Sequence, residues 1–442
     1  MHRMSALENV RQLEQWNRGE HGDDLASVAS PAIDKVGILV GGMMGVSIAA
    51  AHVEHRVPVV VNDVDEAVLA GAAASIAADL PLEIRAQPAL VSELVRVTSD
   101  AAEAARCDLV LETIVEVLPA KLRLYSQLQK HAAPRAIVAS NTSTIPIRRL
   151  AESVPDASRF CGMHFLHPVR HRRLVEIVRG PRTSDETIAA ATGHVRRIGR
   201  MPIVVRDGPG FLVNRLLFPY LGEALELLRE GVPADAIERG AIEFGMAIGP
   251  LRLMDEIGLD TTLQAGWVLA AAFPERIVSS PLLVSLLKAG RLGQKSGAGF
   301  YTYGQPAHPA GNNDLDEKAR EIIARWVDAP AKPSHQPIAC RLVLPMLLEA
   351  TRILEEGAVS DVRGIDLAAL FGLGFPADKG GLLWWADTFG PRRILDMLSA
   401  LRTSEERNRP TPLLERLAKT GGRFYPTLSQ GSLQLFKGGD FR

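Results

Sequence analysis

The chain has 442 residues, with 50 Lys+Arg against 51 Asp+Glu, 47% apolar residues and 23% charged. That length suits about three domains, each able to bury a core without cross-links, and the composition excludes a disordered or fibrous protein. A net charge of −1 and 5% aromatic residues give no general pull towards nucleic acid and little for base stacking.

Residues 1–34 read as a polar N-terminal tail with a short helix around Ala6–Trp16. Their acids and lack of an apolar run do not fit a secretory or transit segment. No apolar stretch of about 18 residues is present, so no membrane span is expected. Val36–Val40 is a short apolar run, the form of a buried strand, followed by a helix from Met43 to Arg56. Pro58–Asn62 is a second strand, ending at the acid Asp63, and Glu66–Ala78 is helical. Further strands are expected at Leu94–Val97, Leu109–Glu112 and Ala136–Ala139, with a helix over Pro119–Lys130. Phe160–Phe165, Leu174–Val178 and Pro202–Val205 complete the set, the last two separated by a helix over Ser184–Ile198. Strands alternating with helices imply a parallel sheet covered on both faces. After Asp207-Gly208-Pro209-Gly210 strand signals vanish, placing a domain boundary near 206.

The remainder contains an internal repeat. Arg215-Leu216-Leu217-Phe218-Pro219 matches Arg341-Leu342-Val343-Leu344-Pro345 at an offset of 126 (341 minus 215). Glu223, Glu230-Gly231 and Asp235 match Glu349, Glu356-Gly357 and Asp361 at the same offset. Asp255 and Gly258 match Asp387 and Gly390. Two helical units are therefore expected, at 207–330 and 331–442. Gln305–Asn313 and Ala329–Gln336 link or extend them. Cys107, Cys161 and Cys340 are odd in number and far apart. They argue against a disulfide framework or metal knuckle and for a reducing cytoplasm.

Gly41-Gly42-Met43-Met44-Gly45 follows a strand and opens a helix, the context in which a glycine-rich turn is informative. Backbone N–H groups from Gly42, Met43, Met44 and Gly45, with the helix N-terminus, would meet a pyrophosphate. Asp63 would accept hydrogen bonds from a ribose. Val64, Asp65 and Glu66 follow it, without an arginine, which favours NAD over NADP. Aligned as G-x-G-x-x-G, the first position is Val40. The turn either takes Val40 in an extended conformation or binds the cofactor poorly.

Polar clusters stand at two strand ends, Ser140-Asn141-Thr142-Ser143-Thr144 and His164-Phe165-Leu166-His167-Pro168, and Glu176 lies within an apolar strand. An acid there is costly unless paired, and His164 is the natural partner. A carboxylate fixes the imidazole tautomer and makes it a better base, suited to taking an alcohol proton as hydride leaves. Arg170, His171, Arg172 and Arg173 form a basic run just past this motif. His52, His55, His131, His171 and His194 have no comparable context and read as surface or structural residues.

In these motifs the sequence resembles the L-3-hydroxyacyl-CoA dehydrogenase family. The carrying residues are Glu112-Thr113-Ile114-Val115-Glu116 with Lys121, Ser140-Asn141-Thr142-Ser143, Gly162-Met163-His164-Phe165, Leu174-Val175-Glu176, Asp207–Phe211 with Asn214, and Gly293–Tyr301. The second helical unit looks like that of bacterial multifunctional fatty-acid oxidation α-subunits. Only 34 residues precede the dinucleotide domain, so the hydratase activity of those proteins is not implied. The resemblance implies a Rossmann-type NAD-binding α/β domain at 35–206, followed by duplicated all-α domains of the 6-phosphogluconate dehydrogenase C-terminal type. It makes His164 the general base, Glu176 its orienting partner, and Ser143 and Asn214 contacts of the reacting oxygen or of His164. Asp63, Glu116, Lys121 and Asn141 would serve the cofactor. The implied reaction is NAD-dependent oxidation of an L-3-hydroxyacyl-CoA in fatty-acid β-oxidation, by a cytoplasmic homodimer without a metal. A thiolase or hydratase partner is possible within that frame. His167 stands where the family has Asn, and Cys340 stands in the second copy where the first has Asn214, so only the first copy is expected to be catalytic. The alternative is a catalytically weak acyl-CoA-binding or assembly subunit.

Overall fold

The structure, a computed structural model, describes residues 4–19, 28–40, 42–278, 280–304, 315–327, 337–401 and 406–425. Gly41 and the linking stretches 305–313 and 329–336 lie outside the described residues. The chain divides into two compact units, Arg11–Phe211 and a second made of Met1–Val10 with Leu212–Arg442. The segment ahead of Lys35 contains a helix, Ala6–Asn17, with Leu13 buried.

The first unit is built on eight strands: β1 Val36–Val40, β2 Val59–Asn62, β3 Val95–Thr98, β4 Leu109–Thr113, β5 Ile137–Ser140, β6 Phe160–Phe165, β7 Leu174–Arg179 and β8 Met201–Arg206. Their order in the sheet is β3-β2-β1-β4-β5-β6-β7-β8. From β3 to β6 every pair is parallel. The central strands are apolar and buried along their length, as expected when helices cover both faces. β7 returns antiparallel to β6, and β8 is again parallel to β7. The reason is local: residues 166–173 hold no crossover helix, so the chain can only fold back. The helix Asp185–Arg197 supplies the next crossover, capped by Ser184, whose hydroxyl accepts from the Thr187 N–H at 3.2 Å.

His52 and His194 are buried together inside this unit, as structural residues. His52 Nδ1 lies 2.7 Å from the Ile48 carbonyl, and its Nε2 lies 3.0 Å from His194 Nε2. Burial pushes His52 down to about 4 and His194 down to about 2, where repulsion from a protonated His52 would add to the effect. Both rings are therefore neutral at neutral pH; with the His52 Nδ1–H on the Ile48 carbonyl, the His194 Nε2–H donates to His52 Nε2.

The second unit is helical and shows the repeat as reciprocal ion pairs. The long helices Val213–Arg229 and Ile338–Glu355 each contain an internal proline, Pro219 and Pro345. Arg215 of the first copy donates through Nε to Glu349 of the second at 2.9 Å and reaches Glu356 at 2.8 Å. Arg341 of the second copy donates to Glu223 and Glu230 of the first, each at 2.8 Å. A second pair of contacts also repeats. Asp255 accepts from the Phe300 and Tyr301 N–H groups at 2.9 and 3.0 Å. Asp387 accepts from those of Phe424 and Tyr425 at 2.8 and 2.9 Å. The Phe300-Tyr301 signature thus has its counterpart at Phe424-Tyr425, a match that the sequence comparison missed because the intervening spacing differs. Among the described residues, no helix is long and apolar enough to cross a membrane.

Two outcomes are expected. The unfolded chain protonates both histidines below 6.5, whereas the folded unit resists until about 4. Stability should therefore fall as pH drops from 6.5 to about 4, with uptake of about two protons on unfolding, read from the pH dependence of urea denaturation. Substituting Phe at His52 and His194 together should flatten that dependence. Glu349→Ala removes the carboxylate that pairs with Arg352 and leaves the buried Arg215 with Glu356 alone, and should cost about 3–5 kcal/mol in denaturation of the full chain.

Candidate active site

Because β1, β2, β4, β5 and β6 run parallel, their C-terminal ends share one edge of the sheet. Ligands of open α/β sheets bind at this edge. The turn after β1 leads into the helix Met43–Glu54. Val40 is the last residue of β1, buried and paired with Thr113. It keeps the extended backbone that a β-branched side chain prefers, so the missing first glycine leaves the strand intact. Gly42 has φ 123° and ψ −152°, a conformation reserved for glycine. A Cβ on it would meet no atom within 4 Å, so the space above the turn is open. A Cβ on Gly45 would come within 2.6 Å of Thr113 Oγ1 and 3.0 Å of Val40, which fixes how closely helix and strand pack.

Asp63 follows β2 and accepts from the Asp65 N–H at 2.9 Å. Asp65 in turn caps the helix Glu66–Asp79. Beside these groups stand exposed apolar side chains: Val64 at 97% exposure, Met43 at 69%, and Val115 and Val117 after β4. Uncovered apolar surface at a polar turn suits the flat rings of a dinucleotide. The open glycine turn, the acid and the apolar rim together fit NAD.

The middle of the edge is organised by a buried acid. Glu112, in β4, is fully buried and sits across from Ser140 of β5. Lys121 Nζ lies 2.6 Å from its Oε1, which also accepts from the Ile114 N–H at 2.8 Å. Tyr125 and Ser140 hydroxyls donate to Oε2 at 2.8 and 2.7 Å. Burial and then the charge of Glu112 hold the Tyr125 phenol well above its ordinary range, so it stays a donor. Lys121 is itself 1% exposed and also reaches Glu116 at 3.3 Å. It therefore holds Glu116 from behind rather than presenting its charge to solvent. Glu116 Oε1 gathers the loop after β5, accepting from the Thr142 hydroxyl at 2.5 Å and from the Ser143 and Thr144 N–H groups at 3.1 Å. Burial raises Glu116, but Lys121 and the Thr142 and Thr144 hydrogen bonds outweigh it, so the carboxylate lies below its ordinary value. Asn141 Oδ1 accepts from the Phe165 N–H at 2.8 Å, tying this loop to the end of β6. Asp207 caps the short helix Ile147–Leu150, accepting from the Ile147 and Arg148 N–H groups at 2.7 and 3.0 Å.

His164 and Glu176 are register partners across the antiparallel β6–β7 pair. His164 Nδ1 lies 2.6 Å from Glu176 Oε2, with both side chains buried. Nδ1–H donating to the carboxylate leaves the lone pair of the neutral ring on Nε2. The Phe211 ring lies 5.9 Å from the His164 ring, centroid to centroid. His167 is exposed in the β6–β7 connection. Asn214 belongs to the other unit, as the second residue of the helix Val213–Arg229. Sequence reasoning gave no role to Glu112 or Tyr125. The signal that singled out Glu176, an acid inside an apolar strand, applies equally to Glu112.

A Gly42→Ala variant should lose at least about tenfold in NAD+ affinity by calorimetry, because the side chain strains φ and enters the open space.

The family model for the 3-hydroxyacyl-CoA dehydrogenase NAD-binding domain matches residues 35–208. That for the 3-hydroxyacyl-CoA dehydrogenase C-terminal domain matches residues 210–303 and 338–425. Similar solved structures include the Escherichia coli 3-hydroxybutyryl-CoA dehydrogenase, at 25% identity and TM-score 0.76, covering 88% of this chain and 99% of that one. The (S)-3-hydroxybutyryl-CoA dehydrogenase from Ralstonia eutropha is 34% identical with TM-score 0.57, covering 62% of this chain and all of that one. The dehydrogenase part of C. elegans multifunctional enzyme 1 shares the fold at 23% identity and TM-score 0.64, covering 94% of this chain and all of that one. An NAD-binding α/β unit, a helical unit and both family matches make this chain an oxidoreductase of the 3-hydroxyacyl-CoA dehydrogenase family.

Proposed function

We propose that the chain oxidises L-3-hydroxyacyl-CoA to 3-ketoacyl-CoA, a step of fatty-acid β-oxidation, with His164 as general base. The observation that carries this reading is the 2.6 Å bond between His164 and Glu176 at the end of β6. Bound NAD+ supplies the hydride acceptor. His164 Nε2 takes the C3 hydroxyl proton as the C3 hydride departs, so the carbonyl forms without a free alkoxide. Glu176 holds the ring in the tautomer that can accept this proton, and its charge stabilises the imidazolium that results. Ser143 contacts the reacting oxygen or holds His164 in place. Gly42, Met43, Met44, Gly45 and Asp63 bind the dinucleotide, and Glu116, backed by Lys121, orders the loop carrying Asn141 and Ser143. In the reverse direction the imidazolium returns its proton to the developing alkoxide. Three free cysteines suit a reducing cytoplasm.

Oxidation of NADH with acetoacetyl-CoA or a longer 3-ketoacyl-CoA tests the assignment, and no turnover at any chain length would refute it. His164→Gln should lower turnover by about 10²–10⁴ while leaving NAD+ affinity unchanged. Equal turnover in that variant would remove His164 from the chemistry.

A further inference from the structure

The connection between β6 and β7, residues 166–173, carries charge that the chemistry at His164 does not use. It is a fixed turn. The His171 and Arg172 N–H groups both donate to the Pro168 carbonyl at 3.0 Å, and the Met201 N–H, at the start of β8, donates to the Arg173 carbonyl at 2.7 Å. Val169 anchors the turn in the core. Arg170 and His171 are exposed and Arg172 is half-buried. Arg173 pairs with Glu14 at 3.0 Å. Among the described residues, the side chains of Arg170, His171 and Arg172 form no ion pair and no hydrogen bond. Two guanidiniums, with an imidazole between them, thus stand on an ordered loop without a counter-charge.

The turn continues the β6–β7 ladder just past the His164–Glu176 pair. Arg170 is joined to His164 by at most about 20 Å of extended chain. The dinucleotide has its own phosphate site at the glycine turn after β1, and β6 stands three strands from β1 in the sheet, about 14 Å away. The cations of the β6–β7 turn are therefore not needed for that pyrophosphate. An L-3-hydroxyacyl-CoA is the other polyanion of the proposed reaction. Its reacting carbon lies at one end of a long pantetheine arm, and its diphosphate and 3′-phosphate lie at the other. A chain with a net charge of −1 offers such a ligand no general attraction, so a local cluster must supply it. Arginine binds phosphate through paired N–H donors, and one without a carboxylate partner gives up no ion pair in doing so.

We propose that Arg170, His171 and Arg172 form the site that binds the phosphates of the substrate's CoA carrier. The inference rests on the reaction proposed for His164, and it adds the groups that recognise the carrier rather than the acyl chain. Acting far from the reacting carbon, they hold substrate and transition state equally well, and so lower KM without raising kcat.

A pair of thioesters and one double variant of the full chain test the site. Acetoacetyl-pantetheine keeps the acyl group and the arm of acetoacetyl-CoA but lacks its phosphates and adenosine. Arg170→Gln combined with Arg172→Gln should raise KM for acetoacetyl-CoA about tenfold with kcat unchanged. Both constants for acetoacetyl-pantetheine should stay at their wild-type values. Neither side chain has a partner in the fold, so their loss does not threaten it. Lysine at both positions should restore most of the affinity. An unchanged KM for acetoacetyl-CoA in the glutamine variant, or an equal loss with both thioesters, would overturn the site. Calorimetry with free CoA reads the same site without turnover. The glutamine variant should bind CoA about tenfold more weakly than the wild type, and equal affinity would overturn the proposal. If the wild type reduces neither thioester yet shows this difference in CoA binding, the phosphate site stands and the proposed reaction alone fails.

Discussion

A carboxylate taken out of water without partners costs several kcal/mol, or takes up a proton instead. Glu112 meets that constraint with an ammonium, two hydroxyls and a backbone N–H, each within 2.8 Å. Those bonds order most of the functional edge. Lys121 carries the order to Glu116, and Glu116 carries it to Thr142, Ser143 and Thr144. The Glu112 carbonyl receives the Asn141 N–H at 2.8 Å, and Asn141 secures Phe165, the neighbour of His164. Groups from β4, β5 and β6 are thus held in one network, the kind of supporting shell that keeps reactive side chains in place.

The antiparallel turn of β7 does for His164 what this network does for the loop. A crossover helix after β6 would have carried Glu176 to another strand direction and another partner. A short return instead makes residue 176 the direct neighbour of residue 164 across the ladder. The pair needs no flexible side chain to bring it together, because both backbones are fixed by strand hydrogen bonds.

Much of this was readable from residue types. The run Val36–Val40 before glycines, the acid after the second strand and Glu176 amid aliphatic residues each break a local pattern for a physical reason. The direction of β7 was not readable, since it depends on what a connection lacks rather than on the strand itself. The His52–His194 pair was equally hidden: two histidines 142 positions apart share no periodicity, and only the packing of two helices brings them together. Val40 posed the opposite problem. The sequence alone left two outcomes, and the strand pairing with Thr113 shows an extended backbone at that position.

The reciprocal arginine–glutamate pairs join two copies that belong to a single polypeptide. Were the copies separate molecules, their association would weaken on dilution. Covalent connection replaces bulk concentration with an effective concentration set by the chain, which dilution does not change. The second copy can therefore lose polar groups such as the counterpart of Asn214, now Cys340, and still be present beside the first at every protein level in the cell.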